Sequence, residues 1–90
     1  MTQDLENMAL VITGAASGIG RAVAIEAAEQ GVRQILATDL NSQGLATLSD
    51  TLKGRTEVSC VVANLAEPEA AQQIAERARA AFGRIDGLVN

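Results

Sequence analysis

The sequence predicts an α/β protein: a doubly wound parallel sheet with helices on both faces, built in the order β-α-β-α-β-α-β. Three observations predict it. Short apolar runs alternate with stretches of helical periodicity along all 90 residues. The runs are evenly apolar rather than alternating, as expected of strands buried on both faces. The first run passes into the first helix through a glycine-rich turn, the usual punctuation of a strand-to-helix connection. Right-handed crossovers and a strand order of 3-2-1-4 follow, with a ligand crevice at the carboxyl ends of the strands.

After a polar lead-in over residues 1–7, the run Met8-Ala9-Leu10-Val11-Ile12 and Thr13 make a strand too short for an amphipathic helix. A helix over 20–30 places Gly20, Val23, Ala24, Ala27, Ala28 and Gly31 on one face, with Gly31 as its C-terminal cap. The small residues on that face let the helix lie close to the sheet. A second strand over 34–38 ends at Asp39, and Asn41 or Ser42 caps the next helix, whose buried stripe is Leu45, Leu48 and Leu52. Gly54 stops it. Val58-Ser59-Cys60-Val61-Val62 is a third strand, rich in β-branched residues. Pro68 suits the first turn of a third helix capped by Glu67 or a neighbour, with Ala71, Ile74, Ala75, Ala78, Ala81 and Phe82 inward and Gly83 at its end. A fourth strand opens over 85–90. No boundary, repeat or linker divides the chain, so residues 1–90 read as one unit.

The turn Thr13-Gly14-Ala15-Ala16-Ser17-Gly18-Ile19-Gly20 carries the chemistry. The first N–H groups of a helix have no intrahelical partner, and the helix dipole adds partial positive charge there. An anion such as a pyrophosphate fits that place if the backbone comes close enough. Gly14 allows the sharp turn, Gly18 the approach of phosphate, and Gly20 the packing of helix on strand. Ser17 and Ile19 lie in the same turn, Ser17 as a donor to phosphate.

The spacing Thr-Gly-x-x-x-Gly-x-Gly, complete at Thr13, Gly14, Gly18 and Gly20, resembles the cofactor motif of the short-chain dehydrogenase/reductase family. The resemblance covers the chain from about Met8 onward but only the first part of the family's usual length. It implies a Rossmann-like fold and a nicotinamide dinucleotide cofactor. Asp39, nineteen residues after Gly20 and followed by Leu40, is placed to accept hydrogen bonds from the adenosine ribose hydroxyls. A 2′-phosphate would meet its charge, and no Arg or Lys lies in the turn or just after Asp39, so NAD is favoured over NADP. The plainer alternative for Asp39 is a solvated or capping charge at a strand end.

In the resembling family an Asp-hydrophobic pair after the third strand binds the adenine; here it is Asn64-Leu65, which keeps the acceptor oxygen without the charge. The plainer reading of Asn64 is a strand terminator. Gly83 to Asn90 resembles the family's approach to an Asn-Asn-Ala-Gly motif, of which Asn90 is the first member; the motif stabilises the sheet and borders the cofactor.

Family members carry catalysis on a downstream Ser and a Tyr-x-x-x-Lys pair, and this sequence has no Tyr. No catalytic residue is therefore assigned within the 90 residues. The resemblance implies an N-terminal part of an oxidoreductase that exchanges hydride between nicotinamide and a small alcohol or carbonyl substrate, as a homo-oligomer. The alternative is a non-catalytic nucleotide-binding or regulatory module of this length. A methyltransferase shares the acid after the second strand but has a tighter glycine pattern.

Composition excludes other classes. Seven basic and eleven acidic residues give a net charge of −4 without a basic cluster, which argues against nucleic acid as a partner. No apolar run approaches the ~20 residues of a membrane span, and the N-terminus lacks the pattern of a signal peptide. With no His and one Cys, the chain has too few ligands for a zinc-type metal site. Cys60 reads as a small buried hydrophobe, and a lone Cys fits the reducing cytoplasm.

Overall fold

The computed structural model describes residues 7–90; of the expected lead-in, residues 1–6 lie outside the described residues. Seven elements follow in the expected alternation: β1 (Ala9–Thr13), α1 (Gly18–Glu29), β2 (Gln34–Asp39), α2 (Ser42–Leu52), β3 (Glu57–Val62), α3 (Ala70–Phe82) and β4 (Gly87–Val89). The four strands form one parallel sheet in the order β3-β2-β1-β4. The registers align Thr13 with Thr38 and Asp39 with Val62, so the carboxyl ends of β1, β2 and β3 finish side by side.

Alternation along the central strands sends side chains to two separate cores. On one face Ile12, Ile35 and Ala37 pack with Ala24 and Ala28 of α1 and with Leu45, Leu48 and Leu52 of α2. On the other, Val11, Leu36 and Val61 pack with Ala70, Ile74 and Ala78 of α3 and with the half-buried Phe82. Ile12, Ile35, Leu36, Leu48 and Leu52 are fully buried. Removal of each such side chain from water stabilises the fold by about 1.5–3 kcal/mol.

Several boundaries differ from the sequence expectation, each for a local reason. Helix α1 starts at Gly18 rather than residue 20, because Arg21 N–H already reaches the Ser17 carbonyl. It ends at Glu29 with Gln30 as cap, and Gly31 follows it at φ 98°. Asn41 is the cap of α2: its side chain accepts from Gly44 N–H at 2.9 Å, a bond of about 1 kcal/mol. Lys53 caps the other end of α2, one residue before Gly54. Pro68 does not enter α3. The Ala70 N–H turns back to the Glu67 carbonyl, which leaves Pro68 in the preceding turn and Glu69 as an N-cap without a side-chain bond. Ala71 and Ala81 are exposed rather than inward, since Ala70, Ile74 and Ala78 hold the buried line.

Burial on both faces holds for β1 and β2 but not for the outer pair. Both β3 and β4 are edge strands, with Val62 and Leu88 exposed. The expected strand over 85–90 shortens to three residues. Asp86 sets its start: its N–H donates to the Ala9 carbonyl at 2.8 Å, while its Oδ2 accepts from Ala9 N–H at 2.7 Å. The Arg84 guanidinium lies 2.6 Å from the other carboxylate oxygen. That ion pair and the Ala9 bond hold the Asp86 carboxyl below its ordinary value.

Candidate cofactor-binding site

The loop between β1 and α1 lies at the carboxyl end of the sheet. Gly14 and Gly18 both take left-handed backbone angles, φ 61° and 59°, which side-chain-bearing residues rarely adopt. Between them the chain reverses from strand to helix. Gly20 serves differently. A Cβ there would run into the Gly14 carbonyl and stand 2.8 Å from the Thr13 oxygen, so only glycine lets α1 lie this close to the end of β1.

Above the turn, the positions a Cβ would take at Gly14 and Gly18 face open space. Ser17 is the N-cap of α1, yet its side chain makes no capping bond, and no acidic residue occupies the first turn. The positive end of α1 is thus left without a carboxylate of its own, as an anion site requires. Ile19 is 84% exposed beside it. An apolar side chain so displayed suits contact with the flat or apolar part of a ligand.

Asp39 ends β2 next to the turn. Its Oδ1 accepts from Asn41 N–H at 3.1 Å and its Oδ2 from Ala16 N–H at 3.0 Å. Those bonds, Asn41 first and then Ala16, lower its pKa against an opposing effect of burial. Each carboxylate oxygen keeps acceptor capacity beyond these contacts. A groove of about 250 Å³ is lined by Gly14, Asp39, Leu40, Ala63, Asn64, Leu65 and Ala66. It brings together residues from three of the strand ends that the sequence singles out.

Within the groove, the Asn64 amide oxygen accepts from Ala66 N–H at 2.9 Å, shaping the turn after β3. The carboxamide therefore acts first as a local turn former, with its second lone pair and its NH2 still available. Leu40 and Leu65 are exposed along the rim. Asn90 stands apart from this groove. Its Oδ1 accepts from the Thr13 hydroxyl at 2.8 Å, which ties the ends of β1 and β4 together. Asn90 lines, with Thr13, Leu65, Ile74, Ile85 and Leu88, an apolar cleft of about 340 Å³ beside α3.

Two parts of the site were not evident from sequence. The Ala16 N–H as a partner of Asp39 has no signature, because any residue supplies that group. Gly44 has one: a glycine in the first turn of a helix. Its missing Cβ lets α2 approach Ala16, where a Cβ would stand 2.7 Å from that of Ala16. Among the described residues, Thr38 alone has a buried side-chain oxygen without a hydrogen-bond partner, under the strand end that Asp39 closes. Arg21 reaches Thr51 of α2 at 3.4 Å. Cys60 is half-buried with its Sγ 3.7 Å from the Leu45 carbonyl, and burial pushes its thiol pKa up, which fits packing rather than nucleophilic chemistry. No cluster of His, Cys, Asp and Glu suited to a metal occurs among the described residues.

The fold has relatives among known proteins. The short chain dehydrogenase family model matches residues 8–90. The chain belongs to that family. Among characterised short-chain dehydrogenases, it is 43% identical to a D-threitol dehydrogenase of Mycolicibacterium smegmatis, over 96% of this chain and 33% of that protein. It is 39% identical to a 1-deoxy-11-beta-hydroxypentalenate dehydrogenase of Streptomyces avermitilis, over 96% of this chain and 32% of that one. A short chain dehydrogenase/reductase of Burkholderia phymatum, solved in complex with NAD, superimposes with a TM-score of 0.88 at 33% identity, over 97% of this chain and 31% of its own. The chain thus spans about a third of the length of these short-chain dehydrogenases. Among the described residues no helix is long and apolar enough to cross a membrane.

Proposed function

We propose that the glycine turn and the groove beside it hold the ADP half of a nicotinamide dinucleotide, with NAD preferred over NADP. The observation that carries this reading is the convergence, in one groove, of Gly14, Asp39, Leu40, Asn64 and Leu65 from the ends of β1, β2 and β3. Gly14, Ser17, Gly18, Ile19 and Gly20 receive the pyrophosphate at the uncapped start of α1. Asp39 accepts from the ribose hydroxyls, and Asn64 and the Leu65 backbone meet the adenine, with Leu40 closing the rim. Asn90 braces β4 against Thr13 at the border of the site. The residues fit the cofactor, since open space lies where Gly14 and Gly18 lack a Cβ.

The preference for NAD rests on charge. A 2′-phosphate beside the Asp39 carboxylate brings like charges together, and no Arg or Lys lies in the turn or directly after Asp39. When bound, the nicotinamide supplies the hydride donor or acceptor. The whole protein that carries this chain is an oxidoreductase of a small alcohol or carbonyl compound in this reading, acting in the cytoplasm as a homo-oligomer. Its proton-transfer residues belong to other parts of that protein, as this sequence has no Tyr.

Calorimetric titration of the 90-residue chain with ADP-ribose, NAD and NADP tests the proposal. NAD and ADP-ribose are expected to bind within about a factor of three of each other, and NADP at least about tenfold more weakly. Equal binding of NAD and NADP would remove the cofactor preference. Failure of all three ligands to bind would remove the reading itself.

A further inference from the structure

The glycine turn is gripped by the segment that follows β2. Ala15 N–H donates to the Thr38 carbonyl at 3.2 Å, and Ala16 N–H to Asp39 Oδ2 at 3.0 Å. The other oxygen of Asp39 accepts from Asn41 N–H at 3.1 Å, and the Asn41 side chain in turn accepts from Gly44 N–H at 2.9 Å. Gly44 returns the chain of contacts to its start. A Cβ on Gly44 would stand 2.7 Å from the Ala16 Cβ and 3.0 Å from the Ala16 carbonyl oxygen. Ala16, Asp39, Asn41 and Gly44 therefore close a ring around the middle of the turn.

We propose that Asp39 is a positioning residue that, together with Gly44, latches Ala16 and sets the glycine turn in its anion-receiving shape before any ligand arrives. The turn needs such a device. Two glycines with left-handed backbone angles give it wide conformational freedom, and freedom lost on binding weakens affinity. A bond between an ionised carboxylate and a backbone N–H is stronger than a neutral one, so it suits a latch. The lowered pKa of Asp39, caused by Asn41 N–H and then Ala16 N–H, is consistent with an ionised acceptor at this place.

The latch makes a prediction opposite in sign to plain electrostatics. A negative charge near a phosphate site repels anions, so neutralising Asp39 should tighten anion binding if charge were its whole effect. If Asp39 holds the turn, the same change loosens anion binding. The proposal also separates Asp39 from its ribose role, because a ligand without ribose still feels the latch. It follows that replacing Asp39 alone does not convert the site to NADP.

The test uses the intact protein, labelled with nitrogen-15, and inorganic pyrophosphate as the probe. In the free protein, D39N and G44A are expected to move the Ala16 amide resonance and to speed its hydrogen exchange, while the amides of β1 and β3 keep their positions. G44A keeps the Asp39 carboxyl group in the chain, so it disturbs the turn through Ala16 and Asn41 without removing the ribose acceptor. Pyrophosphate binding is expected to weaken about five- to tenfold in both variants, about the net worth of one ordinary hydrogen bond. An unchanged Ala16 amide, or pyrophosphate bound as well or better by D39N, would overturn the latch. The latch rests on the reading that the turn receives the pyrophosphate of a dinucleotide, and the two fail on different results. Binding of neither pyrophosphate nor ADP-ribose by the wild-type protein overturns that reading, whereas an unchanged Ala16 amide in D39N and G44A overturns the latch.

Discussion

Against one face of the sheet, α1 and α2 seal Ile12, Ile35, Leu45, Leu48 and Leu52 at 1% exposure or less. Among the described residues α3 alone covers the opposite face, and there an apolar cleft stays open between Ile74 and Leu88, with Leu88 62% exposed. The difference lies in the helices. The α2 stripe is leucine at helical spacing, whereas the buried line of α3 is two alanines around Ile74. The glycine turn belongs to the sealed side, where α1 starts and where Gly44 of α2 bears on Ala16. Its shape is thus supported by the better-packed half of the molecule, as a preorganised binding loop requires.

Paired truncations probe this contrast most strongly. Leu48→Ala, on the sealed face, is expected to cost about 3 kcal/mol of unfolding free energy by urea titration. Leu88→Ala, on the open face, should change it by less than about 0.5 kcal/mol in the same chain. Equal losses would mean that the cleft is closed in solution, by association or otherwise, and the contrast would disappear.

A smaller effect is expected at the turn. Gly20→Ala forces a methyl group against the Gly14 carbonyl, so α1 must move away from β1. Overpacking of this kind should cost about 2 kcal/mol. Dinucleotide binding should fall below detection by calorimetry. Retained binding would show that the turn tolerates displacement and that the close approach of helix and strand is not required.

The smallest effect comes from acid. Asp39 and Asp86 each have a pKa below the ordinary 3.8, through backbone N–H bonds at Asp39 and chiefly through Arg84 at Asp86. Their stabilising contribution is complete above that value and is lost as pH falls from it towards the lowered ones, because the unfolded chain then binds more protons. Urea midpoints should therefore drop as pH falls below about 4, and D86N should shrink that drop. An unchanged gap in D86N would show that the carboxylate clamp on Ala9 contributes nothing to the placement of β4.

Much of the fold was legible because its signals are local. The apolar runs placed all four strands within a residue or two. The leucine spacing placed the buried face of α2, and the glycine pattern placed the turn and the start of α1. Where a boundary moved, a single backbone bond decided it. The Ala70 N–H turning back to Glu67 excluded Pro68 from α3. At the site, the sequence pointed to Gly14, Asp39, Leu40, Asn64 and Leu65, and the structure gathers them in one groove. Two of them also hold local structure, since Asn64 shapes its own turn and Asp39 grips Ala16.

What the sequence by itself determined is whatever depends on neighbours along the chain: the alternation of elements, the glycine angles, the Asn41 cap and the acid at the end of β2. The doubly wound pattern of those elements also gave the strand order 3-2-1-4, and with it the outer strands β3 and β4. Only the tertiary structure decided that, among the described residues, α3 leaves its face partly uncovered, and that Gly44 and Asp39 close on Ala16. Those facts depend on which residues distant in sequence come within a few ångströms, and on the shared backbone N–H groups that no side-chain pattern encodes.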